Sequence, residues 1–110
     1  MENNKSLALL GFASKARKLS FGTHATMYAI TSKKAKLVCA AEDISAKSVK
    51  ELKFNASKNN IPVIILKGID TSLVSHTVGK SCGILAVNDD GFAKALLEKQ
   101  GEMEEGGITL

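Results

Sequence analysis

Lys36-Leu37-Val38-Cys39-Ala40-Ala41-Glu42-Asp43 is an apolar run closed by two acids, and Ile61-Pro62-Val63-Ile64-Ile65-Leu66 is a second run of the same kind. Each is short, bounded by polar residues and apolar at consecutive positions, the signature of a strand buried on both faces. Between them, Ser45 to about Lys58 has helical periodicity, with Val49, Leu52 and Ala56 on one face and Lys47, Lys50 and Lys53 on others. The stretch from 36 to 66 therefore reads strand, helix, strand. That pattern points to an α/β domain.

Working outward, residues 5–17 form an amphipathic helix with Leu7, Leu9, Leu10, Phe12, Ala13 and Ala16 inward and Lys15, Arg17 and Lys18 at its end. Leu19-Ser20-Phe21 is a short strand broken by Gly22-Thr23, and a second helix runs from Thr23 or His24 to about Ser32. Thr23 is its expected N-cap, and Ala25, Tyr28, Ala29 and Ile30 are its expected inner face. On the other side, a helix starts at Asp70, Thr71 or Ser72, carries Leu73, Val74 and Val78, and stops at Gly79. Gly83–Val87 is the last strand. Asp89 or Asp90 caps a terminal helix packed through Phe92, Ala93, Leu96 and Leu97. The expectation is a three-layer α/β/α sandwich around a central mixed sheet of about four strands, a single domain over 1–100 followed by an acidic, glycine-rich flexible tail over 101–110.

The composition agrees with one globular domain: 110 residues, 45% apolar, one proline. No run of about 18 apolar residues offers a membrane span, and a cytoplasmic protein without membrane attachment is expected. Cys39 and Cys82 lack CxxC spacing, so neither zinc nor a disulfide is expected. The net charge of +4 is uneven. Residues 1–60 carry 11 Lys/Arg against 4 Asp/Glu, whereas residues 98–110 carry 1 against 4. A basic half on a small domain makes nucleic acid a leading partner class.

Motifs of catalysis are thin. Val78-Gly79-Lys80-Ser81 imitates the end of a GxxxxGK[ST] loop, but Val74 stands where the first glycine belongs. His24 and His76 have no partner that spacing identifies, and Glu42-Asp43 reads as a strand end that helps begin the next helix. The chain reads as a non-enzyme without cofactor or metal. Four Phe and one Tyr, mostly at core-facing positions, leave no platform for stacking single strands. What remains is a basic lead-in, Gly22, a helix N-terminus suited to phosphate, and a second glycine-flanked loop, Gly79-Lys80-Ser81-Cys82-Gly83. Two such loops at one end of a sheet form a clamp, and structured RNA fits it.

The order of these pieces is itself informative. Leu10-Gly11-Phe12-Ala13, Lys18-Leu19, Gly22, Ala35-Lys36-Leu37-Val38, Ala41-Glu42-Asp43, Ile61-Pro62-Val63, Gly79-Lys80 and Asp90-Gly91-Phe92-Ala93-Lys94 together closely resemble the bacterial YlxQ-like branch of the kink-turn-binding ribosomal protein superfamily, of L-seven-Ae type, over roughly residues 5–99. The resemblance implies an α/β/α sandwich that binds a kink-turn, a duplex bent sharply at a bulge beside tandem sheared G·A pairs. It implies that Gly22, Thr23, His24 and Thr26 enter the groove at those pairs. Ser45, Val49 and Lys80-Ser81-Cys82-Gly83 would cover a flipped-out nucleotide, and Lys18 and Lys33 would meet phosphates. Many kink-turn binders have Asn-Glu where this chain has His24-Ala25, a basic residue in place of Phe21 and Lys in place of Tyr28. The implied partners are ribosomal or other kink-turn RNA, with the ribosome as a possible setting and a monomeric protein. The alternative is a protein-interaction module of the same fold.

Overall fold

The computed structural model describes residues 2–103, with side chains from Lys5 to Lys99. The two runs that decide the fold become the parallel strands β2 (Leu37–Ala41) and β3 (Val63–Leu66), paired from Val38 opposite Val63 to Ala41 opposite Leu66. A parallel pair needs a crossover, and helix α3 (Ala46–Ser57) supplies it. β1 (Leu19–Phe21) and β4 (Ile84–Val87) complete a mixed sheet in the order β1-β4-β2-β3, with β4 antiparallel to both neighbours. Pro62 lies just outside β3, which is an edge strand, and its carbonyl accepts from Val38 N–H at 3.0 Å. A proline costs little there, because only its missing N–H would matter.

Helices cover both faces. α1 (Glu2–Lys15), α4 (Thr71–Val78) and α5 (Asp90–Met103) pack on one side over Leu37, Cys39, Leu66, Leu85 and Val87, with Leu10, Ile69, Val74 and Leu96 filling the layer. α2 (Gly22–Thr31) and α3 pack on the other over Val38, Ala40, Ile84 and Ala86, with Ala29, Ile30, Leu52 and Ala56. Alternate residues of β2 thus enter opposite cores, and none of its five is exposed. The result is the expected three-layer sandwich. Burial also pushes the Cys39 thiol up to about 12, so it behaves as a small apolar side chain.

Helix faces were harder to read. α1 buries Ser6, Leu10 and Ala13, while Phe12 is 60% exposed and Ala16 is exposed too. Where α1 meets α4, a Cβ on Gly11 would make ordinary van der Waals contact with the Thr77 methyl at 3.7 Å. α2 buries Thr26, Ala29 and Ile30, and Tyr28 is 67% exposed. With Phe54 61% exposed as well, the aromatics are mostly outside the core, contrary to expectation. α5 extends to Met103, and the rest of the expected tail, 104–110, lies outside the described residues.

Three helix ends share one device. α1, α2 and α3 close with paired backbone bonds: Lys18 to Ala13 and Arg17 to Ser14, Lys34 to Ala29 and Lys33 to Ile30, Ile61 to Ala56 and Asn60 to Ser57. This double turn requires a left-handed residue after the helix, a position usually given to glycine. Here Arg17 (φ 60°), Lys33 (φ 64°) and Asn60 (φ 58°) occupy it. Elsewhere glycine is needed for space. A Cβ on Gly83 would lie 2.5 Å from Thr71 Oγ1 and 2.8 Å from Ile44 Cδ1.

Two stability outcomes follow, both readable by urea unfolding. Gly83→Ala overpacks that contact and should cost about 1–3 kcal/mol; an unchanged midpoint would mean that Thr71 and Ile44 yield freely. Lys33→Gly removes a left-handed penalty of about 1–2 kcal/mol and adds about 0.5–1 kcal/mol of unfolded-chain entropy, so it should stabilise by roughly 0.5 kcal/mol.

Candidate functional site

The ends of β1, β2 and β3 and the start of β4 lie together, because Phe21 and Cys39 both pair with Leu85 and Ala41 pairs with Leu66. This end of the sheet collects the start of α2, the loop 42–45, the loop 67–70 and the loop 79–83. The two halves of the expected clamp touch. The Gly22 N–H lies against the Cys82 thiol, whose pKa burial raises and this contact pulls partly back.

The α2 start is open. The helix begins at Gly22, one or two residues earlier than expected, and Phe21 rather than Thr23 is the N-cap, with no side-chain hydrogen bond and no acid in the first turn. The first-turn N–H groups of an α-helix have no intrahelical partner; here the Gly22 N–H meets the Cys82 thiol, and the N-cap side chain takes up none of the others. Gly22 has φ 89°, a left-handed value that favours glycine, and a Cβ there would meet nothing within 4 Å. Thr23 and His24 are exposed, Ala25 is half-buried, and Tyr28 stands one turn beyond His24 on the exposed surface. The amides suit an anion, and the imidazole and phenol supply donor and acceptor edges beside it.

The facing loop is held from below. Gly79 (φ 77°) ends α4 in the left-handed conformation, its N–H donating to the Ser75 carbonyl at 2.9 Å. The Ser75 hydroxyl donates to the Cys82 carbonyl and accepts from the Cys82 N–H, both at 3.0 Å. Lys80 and Ser81 are left exposed at the tip. Ala41 N–H donates to the Gly83 carbonyl at 2.7 Å, tying the loop to β2.

Glu42 and Asp43 do not start α3; Ser45 caps it, accepting from Ser48 N–H at 3.2 Å. Instead the two acids hold the loop after β3. Glu42 Oε1 accepts from Gly68 N–H at 2.7 Å, and Asp43 Oδ1 accepts from the Thr71 hydroxyl at 2.7 Å and from its N–H at 2.9 Å. These two donors, the hydroxyl first, hold the Asp43 carboxyl below the usual carboxylate range. Thr71 and Ser75 are structural supports of the site that no local sequence signal marks.

The structure brings Gly22, Thr23, His24, Lys80, Ser81, Cys82 and Gly83 together, with Ser45 and the half-buried Val49 on the neighbouring α3. Three of the expected contact residues are placed differently. Thr26 is fully enclosed beneath α2 and its hydroxyl has no hydrogen-bond partner, so it is a packing residue rather than a surface contact. Lys18 and Lys33 lie at the opposite end of the sheet: the Lys18 carbonyl accepts from Asn88 N–H beyond β4, and Lys33 follows the C-terminus of α2. Among the described residues, no helix is long and apolar enough to cross a membrane, and no three His, Cys, Asp or Glu side chains group as a metal site.

Known proteins are similar to this chain in sequence and in fold. The sequence pattern of the ribosomal protein L7Ae/L30e/S12e/Gadd45 family matches residues 4–97. The RNA-binding protein YlxQ of Enterococcus faecium is 32% identical over 94 residues, covering 86% of this chain and 89% of that protein. The RNA-binding protein YlxQ of Bacillus subtilis (strain 168) is 31% identical over 91 residues, covering 81% and 88%. A solved structure of a protein with unknown function from Bacillus halodurans superposes with a TM-score of 0.80 at 27% identity, over 86% of this chain and 95% of that one. The Giardia lamblia 15.5kD RNA binding protein shares the fold with a TM-score of 0.72 at 17% identity, over 93% and 88%. On the span of its family pattern and the identity to its relatives, the chain belongs to the ribosomal protein L7Ae/L30e/S12e/Gadd45 family.

Proposed function

We propose that this chain is a non-catalytic RNA-binding protein that grips a kink-turn between the start of α2 and the loop 79–83. The observation that carries the reading is the open N-terminus of α2, led by a left-handed glycine and set against the second loop. Uncapped amides position a phosphate but carry no sequence information. His24 and Tyr28 then meet base edges in the groove, where Ala25 offers no polar group. Lys80 at the loop tip pairs with a backbone phosphate, and Ser45 and Val49 complete the wall around an unstacked nucleotide. Two relatives that bear the name RNA-binding protein support the reading. The same fold and charge suit ribosomal RNA as the source of such an element.

The deciding experiment compares gel-shift affinity for a kink-turn duplex and for the same duplex without its bulge. The expected preference is roughly tenfold or more, the 1.4 kcal/mol scale of one good base contact; equal affinities would reduce the binding to general electrostatics. Gly22→Ala places a methyl where no protein atom interferes, so the protein should stay folded with a loss of about 1 kcal/mol while RNA affinity falls by more than that strain explains. Unchanged affinity would take Gly22 out of the interface. Lys80→Ala should lower the slope of log affinity against log salt by about 0.9, one phosphate contact.

A further inference from the structure

The opposite end of the sheet carries a second feature. Lys33, Lys36 and Lys58, with Asn59, Asn60 and Asp90, line a cleft of about 380 Å³ where α2 and α3 end and β2 and β3 begin. None of the three lysines has an ion pair among the described residues. Lys58 Nζ is instead held 4.3 Å from the centre of the exposed Phe54 ring, which orients the ammonium while leaving its charge unneutralised.

Two walls of this cleft are built on left-handed residues. Asn60 tolerates that conformation, whereas Lys33 does so at a cost glycine would avoid. A strained backbone at a charged side chain is an observation from which a site can be inferred. The plain alternative is that the cations only offset the partial negative charge of the helix C-termini. Two helices end here, each contributing about half a negative charge. Lys33, Lys34, Lys36 and Lys58 together exceed those two ends and the acid Asp90 by about two charges. Helix capping alone leaves that surplus unexplained.

We propose that this cleft is a second RNA contact that holds the phosphates of a duplex arm outside the kinked loop, without reading sequence. The proposal rests on the reading of the α2 start as an RNA grip. The 10 residues of α2 separate the two sites by roughly 15 Å. A duplex carries a phosphate charge about every 1.7 Å of its axis, both strands counted, so an arm leaving the kink along α2 keeps phosphates facing the cleft.

The test measures the salt dependence of binding to two RNAs, a kink-turn with minimal arms and the same element with both arms lengthened. Wild-type protein should show the steeper slope on the long RNA. Lys33→Gly, which is expected to fold at least as stably, should lower that slope by about one. Lys33→Gly with Lys36→Gln and Lys58→Gln should lower it by nearly three. Neither variant should change affinity for the minimal RNA or the preference for the bulge. An unchanged slope on the long RNA overturns the cleft, and so does an equal loss on both RNAs, which would place the lysines at the kink itself. Failure of the underlying reading looks different: wild-type protein would ignore the bulge, while the arm contact, being independent of sequence, would still appear in the slope.

Discussion

Thr71 is the point on which the loops of the candidate site depend. Its N–H and hydroxyl both donate to Asp43, and its side chain fills the volume that a Cβ at position 83 would need. One residue thereby fixes the distance between the β2–α3 loop, the start of α4 and the start of β4. The loop 79–83 is placed by this contact, by the Ser75 hydroxyl under Cys82 and by the Cys82 side chain in the core. A rigid rim leaves the α2 amides open without letting the neighbouring loop collapse onto them.

The carboxylate in this support is fully exposed, and its contribution has a definite pH dependence. The folded-state pKa of Asp43 lies below the unfolded one, so its stabilisation is present above the ordinary carboxylate range and is lost as the pH falls through the lowered value. Near neutrality the support is fully formed. The Cys82 thiol on the same rim is shifted the other way by burial and stays protonated there, a neutral acceptor for the Gly22 N–H.

How much of this was legible in the sequence depended on which physical signal carried it. Strands were clear because consecutive apolar residues bounded by acids or glycines leave few alternatives, and β1 was found at its observed limits. Capping was mostly clear, since Asp70 and Asp89 accept from Leu73 and Phe92 N–H as their positions suggest. Helix faces failed where apolar residues surround the axis. In α1, Leu10 and Phe12 are both strongly hydrophobic, so composition alone does not show that Leu10 is buried and Phe12 exposed. In α2, the tight fit over the sheet selected Thr26 and Ala29 over Tyr28, placing a hydroxyl in the core and a phenol on the surface. The site followed the same division. Gly22 and the loop 79–83 were visible as local patterns, whereas the roles of Thr71 and Ser75 exist only through contacts made across the fold. Lys18 and Lys33 were grouped with the clamp because sequence shows charge but not which end of the sheet receives it.

That last separation has a consequence for the electrostatics of the molecule. Both ends of the sheet favour anions, but by different means. At the α2 start the attraction comes from backbone amides, fixed in direction and short in range, which suit one phosphate in one place. At the other end it comes from lysine side chains on the far ends of helices, whose heads are mobile and whose field extends about a Debye length, roughly 8 Å at physiological salt. A polyanion spanning both would therefore be steered by the lysines and oriented by the amides. Near this path, Glu42 and Asp43 are engaged by Gly68 and Thr71 and Asp89 accepts from the first turn of α5, while Asp90 lines the lysine cleft itself. The same hydrogen bonds that build the rim occupy the two exposed carboxylates at that end with donors of the chain itself.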